Sequence, residues 1–200
     1  MKTFNKNYKV AEIKRDISGF TGPNANAWSS EKELKALLQA EFKKAGIKQS
    51  ISFRRGGYTP AIRVTVKADA DEILSFDEWC ETSEAARIGH EVPYSWNTVK
   101  LPDGSYNGVH GVPAEFSDTE AHVDEFRDIV LRGTYDYLVD SIKDNSFTTF
   151  STVKHLFRDE TKERFALTES IVQSFNSDHS DIMTDYFDRA LYDDYYVKIA

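Results

Sequence analysis

The chain has 200 residues, 40% of them hydrophobic, with 25 Lys plus Arg against 33 Asp plus Glu and a formal charge of −8. That apolar content is enough to bury a core, which excludes a chain disordered throughout. No run of about 18 apolar residues exists and the N-terminal MKTFNKNYKV lacks an apolar stretch, so neither a membrane span nor a secretory signal is read, and the expected location is the cytoplasm.

Residues 1–29 are polar with scattered aromatics and end in the loop-like GFTGPNANAWSS, which reads as an N-terminal arm. Ser30-Glu31-Lys32-Glu33 then has capping-box spacing, Leu34, Leu37, Leu38, Phe42 and Ala45 recur at helical intervals, and Gly46 supplies a left-handed stop. In the next stretch Ile51 and Phe53 alternate with polar residues, as do Ile62, Val64 and Val66, so two half-buried strands are expected around a loop with Gly56, Gly57 and Pro60. The alternation turns the apolar sides toward the helix and projects Lys48, Arg54, Arg63 and Lys67 from the opposite face, with Arg55 at the turn. Such a face is either an ordinary solvated one or a contact for nucleic-acid backbone.

Residues 71–79 predict a short helix, and residues 89–117, rich in Gly and Pro, predict a long ordered loop or a hairpin around Asp103-Gly104. A second capping box at Ser117 to Glu120 opens a helix carrying Val123, Phe126, Ile129 and Val130 that runs past Gly133 to Ile142. Helical stretches follow over 150–157 and 160–175, and Tyr195–Ile199 reads as an edge strand. The expected fold is α+β: a small antiparallel sheet with helices on one face and a helical middle and C-terminal region. Residues 30–200 form one domain, with a basic helix-hairpin unit (30–68) and an acidic remainder (69–200).

Counted by segment, the charge is uneven. Residues 1–67 hold 14 basic and 5 acidic side chains (+9), residues 68–158 hold 7 and 18 (−11), and residues 159–200 hold 4 and 10 (−6). A basic surface binds phosphate with counterion release, whereas a dense acidic one is repelled by nucleic acid and suits a basic channel.

Chemistry-bearing motifs are sparse. Phosphate loops, dinucleotide fingerprints, HExxH and Gly-x-Ser-x-Gly are missing from the sequence. Cys80, the single cysteine, forms no internal disulfide, and beside Trp79 on an amphipathic segment its commoner role is a small buried thiol. His90 and His110 lie about twenty residues apart without a carboxylate at a ligand-like offset. The run Asp178, His179, Asp181, Asp185 and Asp188 fails the calcium-loop template, with Met183 and Arg189 at the sixth and twelfth places, and helix capping explains it more simply. No cofactor, no metal and no catalytic residue is expected.

Two stretches carry a resemblance. Ser52-Phe53-Arg54 with Gly56-Gly57 and Ile62-Arg63-Val64, together with Asn176-Ser177-Asp178 and Met183-Thr184-Asp185-Tyr186-Phe187-Asp188, resemble the large-polyvalent-protein-associated domain of type twenty-nine, found on phages and plasmids. Val66-Lys67-Ala68-Asp69 stands where that family has Trp-Thr-Asp-Gly, and residues 89–145 have no counterpart in it. The resemblance implies an accessory protein of a mobile element, a company that includes inhibitors of host defence nucleases. The leading expectation is therefore a non-catalytic anti-CRISPR-type inhibitor that binds a Cas nuclease complex. Its acidic contacts would be Asp178, Asp181, Asp185, Asp188, Asp193 and Asp194, and its basic contacts to guide RNA, DNA or partner would be Lys48, Arg54, Arg55, Arg63 and Lys67. The alternative is a nucleic-acid-binding accessory module that acts through the basic hairpin.

Overall fold

A computed structural model describes residues 4–16, 19–54, 61–144, 148–179 and 191–199. The chain is an α+β protein that divides into two compact units: residues 1–70, 149–151 and 159–200 form the first, and residues 71–148 and 152–158 the second. No helix among the described residues is long and apolar enough to cross a membrane.

In the first unit, α1 (Glu31–Ala45) starts where the Ser30 hydroxyl accepts from Glu33 N–H and stops at Gly46, whose φ of 70° lets its N–H turn back on Lys43 and Phe42 carbonyls. The Glu33 carboxylate reaches past the cap to accept from the N–H and hydroxyl of Ser29. Leu34, Leu38, Phe42 and Ala45 make one fully buried stripe. It packs on β3 (Gln49–Arg54) and β4 (Ala61–Ala68), whose alternation buries Ile51, Ile62, Val64 and Val66. The core is closed by Ile171, Val172 and Phe175 at the end of α6 (Asp159–Gln173).

The third strand is β8 (Tyr192–Ile199), an edge strand in the order β3-β4-β8, and it runs parallel to β4. The sheet is therefore mixed rather than antiparallel. A parallel neighbour needs a long crossover, and here the chain between β4 and β8 includes the whole second unit.

The N-terminal residues belong to the same unit. Phe4 is buried in its core, and β1 (Lys14–Asp16) and β2 (Gly19–Thr21) form a three-stranded sheet with β7 (Ser177–Asp178). Backbone bonds from Gly22 to Asn176 (2.8 Å) and from Asn24 to Ser174 (2.7 Å), with Trp28 Nε1 donating to Phe175 O (2.9 Å), fasten this segment to the end of α6.

In the second unit the expected helix over 71–79 is two pieces: a 3-10 turn (Ala70–Glu72) and α2 (Phe76–Cys80). Ser75 and Glu78 form a reciprocal capping box, which restarts the helix at that point. After α3 (Ser83–Glu91), residues 96–110 are the hairpin β5 (Trp96–Lys100) and β6 (Tyr106–His110), turning at Asp103-Gly104. The long helix α4 (Glu120–Lys143) is capped by Thr119, not by Ser117, which ends the preceding 3-10 turn and bonds to Ala114 O. Gly133 brings α4 against β5: a Cβ there would meet Thr98 O at 2.6 Å and Lys100 N at 3.0 Å.

The stretch expected as one helix over 150–157 is α5 (Phe150–Val153) followed by a 3-10 turn (Lys154–Leu156). Residues 152–158 are stapled to the start of the second unit by Leu74 N–H to Leu156 O (2.8 Å), Arg158 N–H to Glu72 O (3.1 Å) and the Ile73–Phe157 bridge. Trp79, with no exposed surface, centres that core among Phe76, Tyr135 and His155 and donates to His155 Nδ1 at 2.8 Å.

Candidate functional site

The face of the β3-β4-β8 sheet opposite the α1 core holds the described basic candidates, and the strand register orders them in rows. Neighbouring strands stand about 4.8 Å apart, so residues in one row are close neighbours. Ser52, Arg63 and Asp194 form one row, Ser50, Thr65 and Tyr196 the next, and Lys67 and Lys198 stand side by side in the last, with Lys48 across from Lys67 through the bond from Lys67 N–H to Lys48 O.

Two opposite charge sets expected from the two ends of the chain therefore meet here. Arg54 pairs with Asp194 at 2.6 Å and donates to the Tyr196 hydroxyl at 3.3 Å, and the Arg63 guanidinium lies 4.6 Å from the Tyr196 ring centre. Arg54 and Asp194 are both well exposed, so the pair is screened, but locally it cancels the field each was expected to project. Arg55 lies outside the described residues.

The other acidic candidates are drawn into the same unit. Asp193 sits on the inner side of β8 beside Asn176, and Asp178 pairs with Phe20 in the small N-terminal sheet. Asp181, Asp185 and Asp188 lie outside the described residues. Asn176, from the family-like Asn-Ser-Asp stretch, is 1% exposed. Its amide donates to Leu191 O (2.9 Å) and approaches Asp193 (3.4 Å), while its oxygen accepts from Ser177 N–H (2.8 Å). That motif residue joins the end of α6 to the start of β8. Next to Asp193, burial pushes the Tyr195 phenol well above its ordinary range.

The charge divides by folding unit rather than by position in the chain. The first unit carries 18 basic and 16 acidic side chains, a net +2, because it takes in both the basic hairpin and residues 159–200. The second carries 17 acidic and 7 basic, a net −10. Four of those seven basic residues, Arg87, Lys100, Arg127 and Arg158, are ion-paired inside the unit. Meanwhile Asp77, Glu81, Glu120, Glu125 and Asp128 are exposed and have no ion pair among the described residues.

On this acidic unit the hairpin presents Trp96, 74% exposed, with Tyr94 beside it at 77%. Trp96 holds His110 edge-on at 5.5 Å across the hairpin. Buried Asn97 fixes the base of the hairpin through its amide, which donates to the carbonyls of Val92, Ser95 and Gly111. Sequence reasoning missed these two aromatics because period-2 alternation in a Gly-rich stretch does not say which face is covered. The exposed acids are not legible as a group because they come from α2 and α4, about forty residues apart, and only the fold gathers them in one unit.

Burial raises the Cys80 thiol, Arg132 partly opposes that, and Asp77, Asp128 and Glu81 add to the rise, an environment that disfavours the thiolate a nucleophile requires. Among the described residues no group of three or more His, Cys, Asp or Glu is placed to hold a metal, and His90 is an exposed residue on α3. Compared with known proteins, the chain matches no family model, no curated protein and no solved structure.

Proposed function

We propose that this chain is a non-catalytic protein of a phage or plasmid that inhibits a host defence nuclease of the CRISPR type by occupying a basic channel built for nucleic acid. The reading rests on one observation: the net −10 is gathered on the second unit, where it repels nucleic acid and attracts a strongly basic protein surface. Trp96 and Tyr94 supply the apolar anchors that such an interface needs, since charge sets the rate and orientation of encounter while buried aromatics slow dissociation. The acidic partner face is accordingly Asp77, Glu81, Glu120, Glu125 and Asp128 rather than the C-terminal aspartates.

The test is a cleavage assay with a panel of purified Cas nucleases loaded with guide RNA. Cleavage of target DNA by at least one of them falls as the chain is added, and inhibition weakens when Glu120, Glu125 and Asp128 become Lys. If every nuclease cuts at full rate in excess chain and none retains it on a column, the proposal is wrong.

A further inference from the structure

The first unit carries a second charged feature, independent of the acidic unit. At the end of the sheet remote from Arg54, Lys67 and Lys198 are direct neighbours on parallel strands and Lys48 faces Lys67. Lys43, in the last turn of α1, joins Lys48 and Lys67 in lining a groove of about 480 Å³ completed by Gln39, Gln49 and the Gly46–Ile47 turn.

All four lysines are exposed, and none has an ion pair among the described residues, whereas Lys44, one position from Lys43, is held by Glu41 at 2.6 Å. Like charges gathered on three strand ends and a helix end oppose one another and gain nothing for folding. A bound anion relieves that repulsion. Among the described residues the groove lining contains no carboxylate to repel an anion, and two carbonyls that end α1 already accept from Gly46 and Ile47.

We propose that this lysine cluster binds the phosphate oxygens of a nucleic-acid backbone. Lys is a compact charge on a flexible stem and suits phosphate without dictating geometry. Among the described residues no aromatic side chain lines the groove, so bases have no stacking platform there, and binding is indifferent to sequence and governed by counterion release. The site differs from the Arg54 and Arg63 end of the same sheet, where Asp194 and Tyr196 engage both guanidinium groups.

The experiment is fluorescence anisotropy of a labelled single-stranded oligonucleotide with the full chain across a salt series. With about four phosphates neutralised, log K falls against log salt with a slope of roughly −3. The K43Q/K48Q/K67Q/K198Q variant, whose four changes all lie on exposed side chains, keeps its circular dichroism and loses at least about tenfold in affinity, while R15Q/K32Q, which removes two charges elsewhere on the same unit, loses less than about threefold. Equal losses in the two variants, a flat salt dependence, or no binding at low salt overturn the proposal. A competition arm separates the sources of phosphate: if pyrophosphate at equal phosphate concentration displaces the oligonucleotide fully, the ligand is a small polyphosphate and the backbone assignment falls.

Discussion

Replacing Asn176 by Ala would strand two polar groups at once. Leu191, with no exposed surface, loses the donor to its carbonyl, and the half-buried Ser177 N–H loses its acceptor. An unmet buried carbonyl costs about 1–3 kcal/mol and a partly solvated N–H about 1, and the missing amide leaves a small void, so the loss is about 2–4 kcal/mol. With a urea slope near 2 kcal/mol/M, that lowers the midpoint by roughly 1–2 M. The assay is urea denaturation combined with hydrogen exchange of the β4 and β8 amides, which report on the unit concerned. Asn176→Asp is the discriminating control. At neutral pH its carboxylate would point at Leu191 O and Asp193, so it should be no more stable than the Ala variant. Below the carboxylate range a protonated acid can donate again and the deficit relative to wild type at the same pH should shrink. A loss under about 1 kcal/mol in N176A, or wild-type stability in N176D at pH 7, would refute the donor role assigned to this amide.

Glu78 supplies a pH prediction: bidentate bonds from Arg158 at 2.8 and 3.0 Å, joined by the Ser75 N–H, hold its carboxyl down to about 2. Because the folded value lies below the ordinary 4.5, the stabilisation is complete above that value and is lost as pH falls toward 2; a carbon NMR titration of Glu78 near 4.5 in the wild type would contradict it. A double-mutant cycle on Arg54 and Asp194 should return a coupling of about 0.2–1 kcal/mol that shrinks in high salt, and a value above about 2 would mean the pair is not screened as its exposure implies. Trp96→Ala should change stability by no more than about 0.5 kcal/mol in thermal denaturation while weakening inhibition, whereas a loss beyond about 1.5 would make the side chain part of the fold.

Much of the first unit was legible because its signals are local. Ser30, the Leu34-Leu38-Phe42 stripe and Gly46 define α1 within seventeen residues, and alternation in β3 and β4 assigns their faces correctly. The failures are non-local or competitive. Ser117 and Thr119 both offered a cap, and the Pro113 to Phe116 turn claimed Ser117. Nothing in the β8 segment itself says that it will lie parallel to β4, and the contact of Arg54 with Tyr196 spans 142 positions. Charge follows the same rule: the pairing of β8 with β4 brings Asp194 onto Arg54, and the net −10 belongs to the unit formed by the middle of the chain. Lys43 and Lys198 escaped because their neighbours in space come from other elements.

The parallel seam between β4 and β8 also sets a timetable. On a ribosome adding about 5–20 residues per second, β8 emerges some 130 residues after β4, a delay of roughly 6–26 s. The second unit, nearly continuous in sequence, can form its helices and hairpin within that interval, while β4 waits with one edge bare. Synthesis thus offers the molecule an order: the acidic middle can mature while the sheet is unfinished, and the β3-β4 hairpin is completed only when β8 arrives.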